Sequence, residues 1–254
     1  PSRRPVADRA KSWGSRPGVI SVRDVPPAQD AMSPTTLPSC VVVAMASTDA
    51  GGARQVEQAY FAASRALYAD GRDFAYMDSQ ALADAQVRAG VLTHGALQWR
   101  LVVLPRADTL PLAAWENLAR FWRQGGAVIA LGALPTNSES EFPSPAVQAL
   151  AREMFGQPTG PGVVTNAAGG AGVYLPPGSE ALLSLALGGL LEPDVQTAPG
   201  SPIRATHRRL DGREVYFVIN DSPAPWTGQV SLCATGEGEQ WDPATGRMTP
   251  AAPK

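Results

Sequence analysis

Cysteine, histidine and lysine are all scarce in this chain of 254 residues: two cysteines, two histidines, and only Lys11 and Lys254 as lysines. Each scarcity removes a class of chemistry. Two cysteines are too few for a disulfide framework or a four-cysteine zinc site, and a single Cys40–Cys233 bridge is possible but has no support in the sequence. Free buried thiols are the expectation. His94 and His207 lack Cys, Asp or Glu at metal-ligand spacing, so no metal site is assigned. With so few lysines there is no phosphate-loop lysine, and the glycine runs at Gly51-Gly52 and Ala168-Gly-Gly-Ala-Gly172 do not match a dinucleotide fingerprint. No cofactor is expected. Charge of one sign is lacking too. A net charge of −2 gives no electrostatic case for nucleic acid or an anionic membrane. The tight basic pairs Arg3-Arg4 and Arg208-Arg209 read as solvated surface. Long apolar runs are missing: no window reaches the ~18 residues that a spanning helix needs. The first residues have no apolar core of signal-peptide type. The chain begins with proline rather than methionine, which leaves the natural start, and with it secretion, open.

Proline, by contrast, is concentrated at the beginning. It recurs at positions 1, 5, 17, 26, 27, 34 and 38, so residues 1–39 read as an irregular arm or linker. Order is expected from Cys40-Val-Val-Val-Ala-Met45, a buried strand. Val56, Ala59, Tyr60, Ala63 and Leu67 then fall on one helical face, stopped by Asp70-Gly71. Phe74-Ala-Tyr-Met77 is the next strand, and Asp78 or Ser79 caps a helix expected over 80–88. Leu92 to Gln98 reads as a turn-rich link or small hairpin, and Leu101-Val-Val-Leu104 as the third strand. The helix after Thr109-Leu-Pro111 turns Trp115, Leu118, Ala119 and Trp122 inward and ends at Gly125-Gly126. Ala127 to Leu131 is the fourth strand, 133–144 a polar loop, and Val147, Leu150, Ala151 and Met154 mark another helix.

Strands alternating with helices through short loops point to an α/β fold: a parallel sheet with helices on both faces, in flavodoxin-like order, over residues 40–160. Near residue 160 the pattern changes. Residues 161–202 read as a mixed connecting segment holding one apolar helix, Ala181 to Leu187. From 203 to 254 the period becomes two, with Val215, Phe217 and Ile219 on one face and a hairpin signal at Asp211-Gly212. This tail is expected to be a partial antiparallel β-sandwich.

Ligands of such parallel sheets sit at the carboxyl ends of the strands. Those ends offer Ser47-Thr-Asp49, Asp78, Pro105-Arg-Ala-Asp108 and Gly132-Ala-Leu-Pro135. None resembles a nucleophile elbow. Asp78, Asp108, Glu116, Glu139 and Glu141 are the carboxylates available for an acid–base pair of the kind sugar hydrolysis uses, and nothing in the spacing pairs two of them. No catalytic residue is assigned. The candidate sugar contacts are Asp78, Arg106 and Asp108 at the strand ends, with Trp226 and Trp241 in the β tail, whose indoles present an apolar face to a sugar ring or to a core.

Several stretches, read together, resemble a known family. They are Gly71-Arg-Asp-Phe-Ala-Tyr-Met-Asp78, Leu101-Val-Val-Leu-Pro105, Trp115-Glu-Asn-Leu118, Gly125-Gly-Ala-Val-Ile129, Gly132-Ala-Leu-Pro135, the run from His207 to Asn220, and Trp241-Asp-Pro-Ala-Thr-Gly246. Over about residues 55–250 they are similar to the C-terminal half of glycoside hydrolase family 106, bacterial glycosidases of α-L-rhamnosidase type. The resemblance implies a degenerate glutamine-amidotransferase-like α/β domain, akin to the trimerisation domain of some β-galactosidases, followed by a β-sandwich segment. It also implies that the acid and base lie on a separate (β/α)8 barrel with no counterpart in this sequence. The partners it implies are that catalytic barrel, as domain or subunit, with carbohydrate and a homo-oligomer as further expectations. The setting it implies is bacterial periplasmic or secreted. The expected role is therefore a non-catalytic accessory portion that supports oligomerisation or shapes the sugar site. The alternatives are a stand-alone carbohydrate-binding protein and a small hydrolase with a strand-end site.

Overall fold

A computed structural model describes residues 18–25, 40–43, 50–210, 213–234 and 237–251 of the chain. In chain order the elements begin with β1 (Gly18–Val25), β2 (Cys40–Val43), α1 (Ala50–Ala69), β3 (Phe74–Met77) and α2 (Ser79–Asp84). A small antiparallel sheet follows, made of β4 (Gln86–Arg88), β5 (Val91–His94) and β6 (Leu97–Trp99). Next come β7 (Leu101–Pro105), α3 (Leu112–Arg123), β8 (Ala127–Leu131), α4 (Pro145–Phe155), β9 (Gly162–Thr165), β10 (Ala171–Leu175) and α5 (Leu183–Leu190). The remainder is β11 (Val195–Thr197), β12 (Ile203–Leu210), β13 (Arg213–Asn220), β14 (Trp226–Leu232), β15 (Gly238–Trp241) and β16 (Met248–Ala251).

Two compact units result. One gathers Leu37–Leu67 with Phe74–Glu192, the other Tyr68–Asp73 and Pro193–Lys254 with the N-terminal segment that carries β1. The first is a mixed α/β layer around a six-stranded sheet, ordered β3-β2-β7-β8-β10-β9. All neighbours are parallel except the edge strand β9, which runs antiparallel to β10. The central strands are apolar on both faces, as a covered parallel sheet requires. Val41, Val43, Val102, Leu104, Val128 and Ala130 point to one side, where α2, α3 and α4 bring Leu82, Trp115, Leu118, Phe121 and Met154. Cys40, Val42, Leu101, Val103, Ile129 and Leu131 point to the other, against Ala63 and Leu67 of α1 and Leu183 and Leu187 of α5. Helices thus cover both faces.

α4 and β10 approach so closely that a β-carbon on Gly172 would overlap the main-chain carbonyl of Met154. Only glycine fits there.

Three differences from the sequence reading have physical causes. The helix expected over 80–88 stops at Asp84. The buried Asn117 side chain donates to the carbonyls of Leu82 and Ala85, at 2.7 and 2.8 Å, and so satisfies two α2-end acceptors from outside the helix. Residues 86–88 then pair as β4. The segment 161–202 is not merely a connection, since β9, β10 and α5 complete the sheet and its second face. Within the expected irregular arm, β1 pairs antiparallel with β14.

The second unit holds small antiparallel sheets: β1-β14-β11, the hairpin β12-β13 and the hairpin β15-β16. Among the described residues its core includes Val195, Ile203, Val230 and Leu232, with Tyr216, Val218 and Trp226 packed against them. The hairpin tip at Asp211-Gly212 and the strand end at Ser47-Thr-Asp49 lie outside the described residues. Cys40 is buried and Cys233 half-buried. Among the described residues no helix is long and apolar enough to cross a membrane.

Candidate functional site

The carboxyl ends of β3, β7 and β8 carry the polar loops of the α/β unit. Asp78 follows β3 and caps α2, accepting the Ala81 amide at 2.7 Å. β2 separates β3 from β7, so Asp78 stands roughly 10 Å across the sheet from the β7 end. There the chain turns sharply. Arg106 has φ +49, and its amide donates to the Leu131 carbonyl at 2.6 Å. Gly132 has φ +82, and a β-carbon there would sit 2.9 Å from the Arg106 Cγ, so the Arg106 stem lies over a residue that must be glycine. The Asp108 carbonyl accepts the amides of Thr136 and Asn137, each at 2.9 Å. Its carboxylate accepts the Thr109 hydroxyl at 2.9 Å, and that hydroxyl accepts from the Asn137 amide at the same distance. Trp115 donates its indole N–H to the Asn137 carbonyl at 2.9 Å.

The other two loop carboxylates have similar work. α3 begins at a proline with no side-chain cap, and Glu139 supplies one by accepting the Leu112 amide at 2.8 Å. That bond, with one from its own amide, holds the Glu139 carboxyl below its usual range. Glu141 accepts the Ser144 hydroxyl at 2.7 Å. Glu116 is exposed on α3. Each loop carboxylate is thus an acceptor that shapes a turn or a helix start.

Sequence reasoning missed an open groove beside these loops, of about 350 Å³. Leu134, Pro135, Ala151 and Pro158 form its apolar part; Thr136, Gln148, Arg152 and Gln157 form the polar part. The signal was present in the sequence as a Gln148/Arg152 pair four residues apart, flanking the apolar face of α4.

In the second unit, Trp226 is half-buried against the small core, with its ring over Gly228. Trp241 is 64% exposed and pairs across the hairpin with Met248, itself 59% exposed. His207 lies on β12 of the β12-β13 hairpin and is closely engaged by its neighbours. It stacks on Tyr216 at 4.2 Å, its Nε2 lies 2.7 Å from Glu214, and its Nδ1 3.6 Å from Asp194. Burial pulls its pKa down, but the two carboxylates outweigh burial and raise it. Next to it Arg208 pairs with Asp73 at 2.6 Å; burial nevertheless raises the Asp73 pKa against that partner. Among the described residues no cluster of three metal-ligating side chains occurs.

The sequence model of the Glyco_hydro_106 family, described as alpha-L-rhamnosidase, matches residues 52–252. The chain belongs to this family. Solved structures share its fold. A rhamnosidase from Novosphingobium sp. PP1Y is 21% identical with a TM-score of 0.53, the match covering 70% of this chain and 17% of that one. A beta-galactosidase from Rahnella sp. R3 is 13% identical with a TM-score of 0.55, covering 79% of this chain and 40% of that one. A beta-galactosidase from Bacillus circulans sp. alkalophilus is 11% identical with a TM-score of 0.50, over 78% and 40%. No curated protein matches. The chain therefore spans 17% of the length of the rhamnosidase it resembles. Of the residues singled out in sequence, the structure brings Arg106 and Asp108 into one turn of the α/β unit, leaves Asp78 two strands away, and places Trp226 and Trp241 in the other unit.

Proposed function

We propose that this member of the alpha-L-rhamnosidase family is the non-catalytic portion of a larger glycosidase, packing against a catalytic barrel and shaping its sugar site or its oligomer. The observation that carries the reading is the family match over 52–252, joined to a likeness that spans only 17% of the related rhamnosidase. The local chemistry supports it. Asp78, Asp108, Glu139 and Glu141 are each engaged by a turn or a helix start, an arrangement that builds loops rather than presenting a proton donor to a glycosidic oxygen. The parallel strands, counted in chain order, run 2-1-3-4-5, which supports the flavodoxin-like and amidotransferase-like readings of the α/β unit. The small sheets of the second unit support the partial sandwich.

Hydrolysis of an aryl-glycoside panel that includes a rhamnoside tests this. The folded chain alone should give no turnover, and adding the barrel portion should restore it. Turnover by the chain alone, abolished by a substitution within residues 40–251, would refute the reading.

A second reading, carbohydrate binding, is favoured by Trp241. Its exposed indole on a two-stranded hairpin matches a stacking platform, whereas Trp226 is committed to packing. Trp241→Ala should weaken sugar binding several-fold while leaving the melting temperature unchanged. A fall in melting temperature would assign Trp241 to the fold instead.

A further inference from the structure

We infer that the groove along α4 is an accessory subsite for a sugar acid, a single ring bearing one carboxylate. The inference rests on the glycosidase reading for its ligand class and on the groove itself for its chemistry. With a volume of about 350 Å³ the groove is at the small end of ligand sites, which matches one ring rather than a chain. Its lining is divided. Leu134, Pro135, Ala151 and Pro158 offer a surface to the C–H face of a pyranose ring. Gln148, Arg152 and Gln157 offer amide and guanidinium groups to hydroxyls and to an anion.

The charge pattern selects the acid over the neutral sugar. No Asp or Glu lines the groove. The adjacent carboxylate, Glu153, is bound to Arg123 of α3, with its Oε1 at 2.7 Å from Nε. Among the described residues no hydrogen bond or ion pair within the chain engages the side chains of Gln148, Arg152 or Gln157. A guanidinium with its fork open beside two carboxamides binds a carboxylate through two parallel N–H donors. Gln148 and Arg152 lie four residues apart on one helix, so a rigid element presents both. The groove is open, and its affinity is correspondingly modest, in the millimolar range on the order of 1 mM.

The test is titration of the 15N-labelled chain with D-glucuronate, D-glucose and acetate, read by amide shifts and repeated at raised salt. Glucuronate should move the signals from Gln148 to Gln157 and saturate. Glucose should bind the same residues about tenfold more weakly, and salt should weaken the glucuronate response. Arg152→Ala should lower glucuronate affinity about tenfold with an unchanged melting temperature, because the residue is exposed. Arg152→Lys, which keeps the charge without the fork, should fall between. An acetate response equal to that of glucuronate would reduce the site to an anion contact and overturn the sugar assignment. Unchanged affinity in Arg152→Ala, or shifts confined to β15 and β16 around Trp241, would overturn the groove. None of these outcomes touches the glycosidase reading, which stands or falls on rhamnoside turnover when the barrel portion is restored.

Discussion

At the scale of single residues, this protein places its polar side chains inside its own scaffolding. Asn117 is 2% exposed and stops α2 by reaching two carbonyls of another element. Glu139 starts α3 from a loop 27 residues away. His207 carries the clearest solution signature. Its folded-state pKa is raised above the usual 6.5 by Asp194 and Glu214, so the folded state holds the proton more tightly than the unfolded chain. The stabilisation is therefore complete below the usual value and is lost as pH rises through the raised one. Asp73, also raised, acts in the same direction in its own, lower window. Urea midpoints should accordingly fall between about pH 6 and 8, and His207→Gln should flatten that slope. An equal slope in the variant would show that the ring does not titrate between those carboxylates.

At the scale of elements, close approach decides more than propensity. α4 can lie on β10 only because residue 172 has no side chain. Gly172→Ala forces a β-carbon into the Met154 carbonyl, and helix and strand must part. A loss of about 2–4 kcal/mol in unfolding free energy is expected, measured by chemical denaturation. A loss below about 0.5 kcal/mol would mean that the two elements already have slack. The ion pair between Arg123 and Glu153, which also joins α3 to α4, is nearly half exposed at both ends and is a minor contributor beside that packing.

At the scale of the whole molecule, the two units differ in how much apolar surface they bury. The α/β unit contains every strand of the six-stranded sheet and two extensive cores. Among the described residues, the second unit buries only Val195, Ile203, Val230 and Leu232 as an apolar cluster around β11, β12 and β14. A fragment of residues 37–192 should therefore fold, with a cooperative thermal transition and a helical far-UV spectrum. A fragment of residues 193–254, which lacks β1, should remain largely unfolded, since so small a core supplies only a few kcal/mol. A cooperative transition in the smaller fragment would contradict this account of its core.

Composition and periodicity alone were sufficient for the α/β class, the strands at 74–77, 101–105 and 127–131, and the inward face of α3, because apolar burial in a covered sheet writes itself into local sequence. The β12-β13 hairpin of the tail was equally legible, through its alternation and turn residues. Tertiary structure alone decided what depends on residues distant in sequence. Asn117 ends a helix 32 residues earlier, β1 finds β14 across the chain, and β9 and β10 join a sheet that the local pattern had already closed. The candidate site followed the same division. Strand-end positions such as Asp78 and Asp108 could be read from the pattern, but that their carboxylates serve a cap and a turn could not. The groove of Gln148, Arg152 and Gln157 exists only once the 134–136 loop folds back on α4, because a concave surface is a property of packing and not of any one segment.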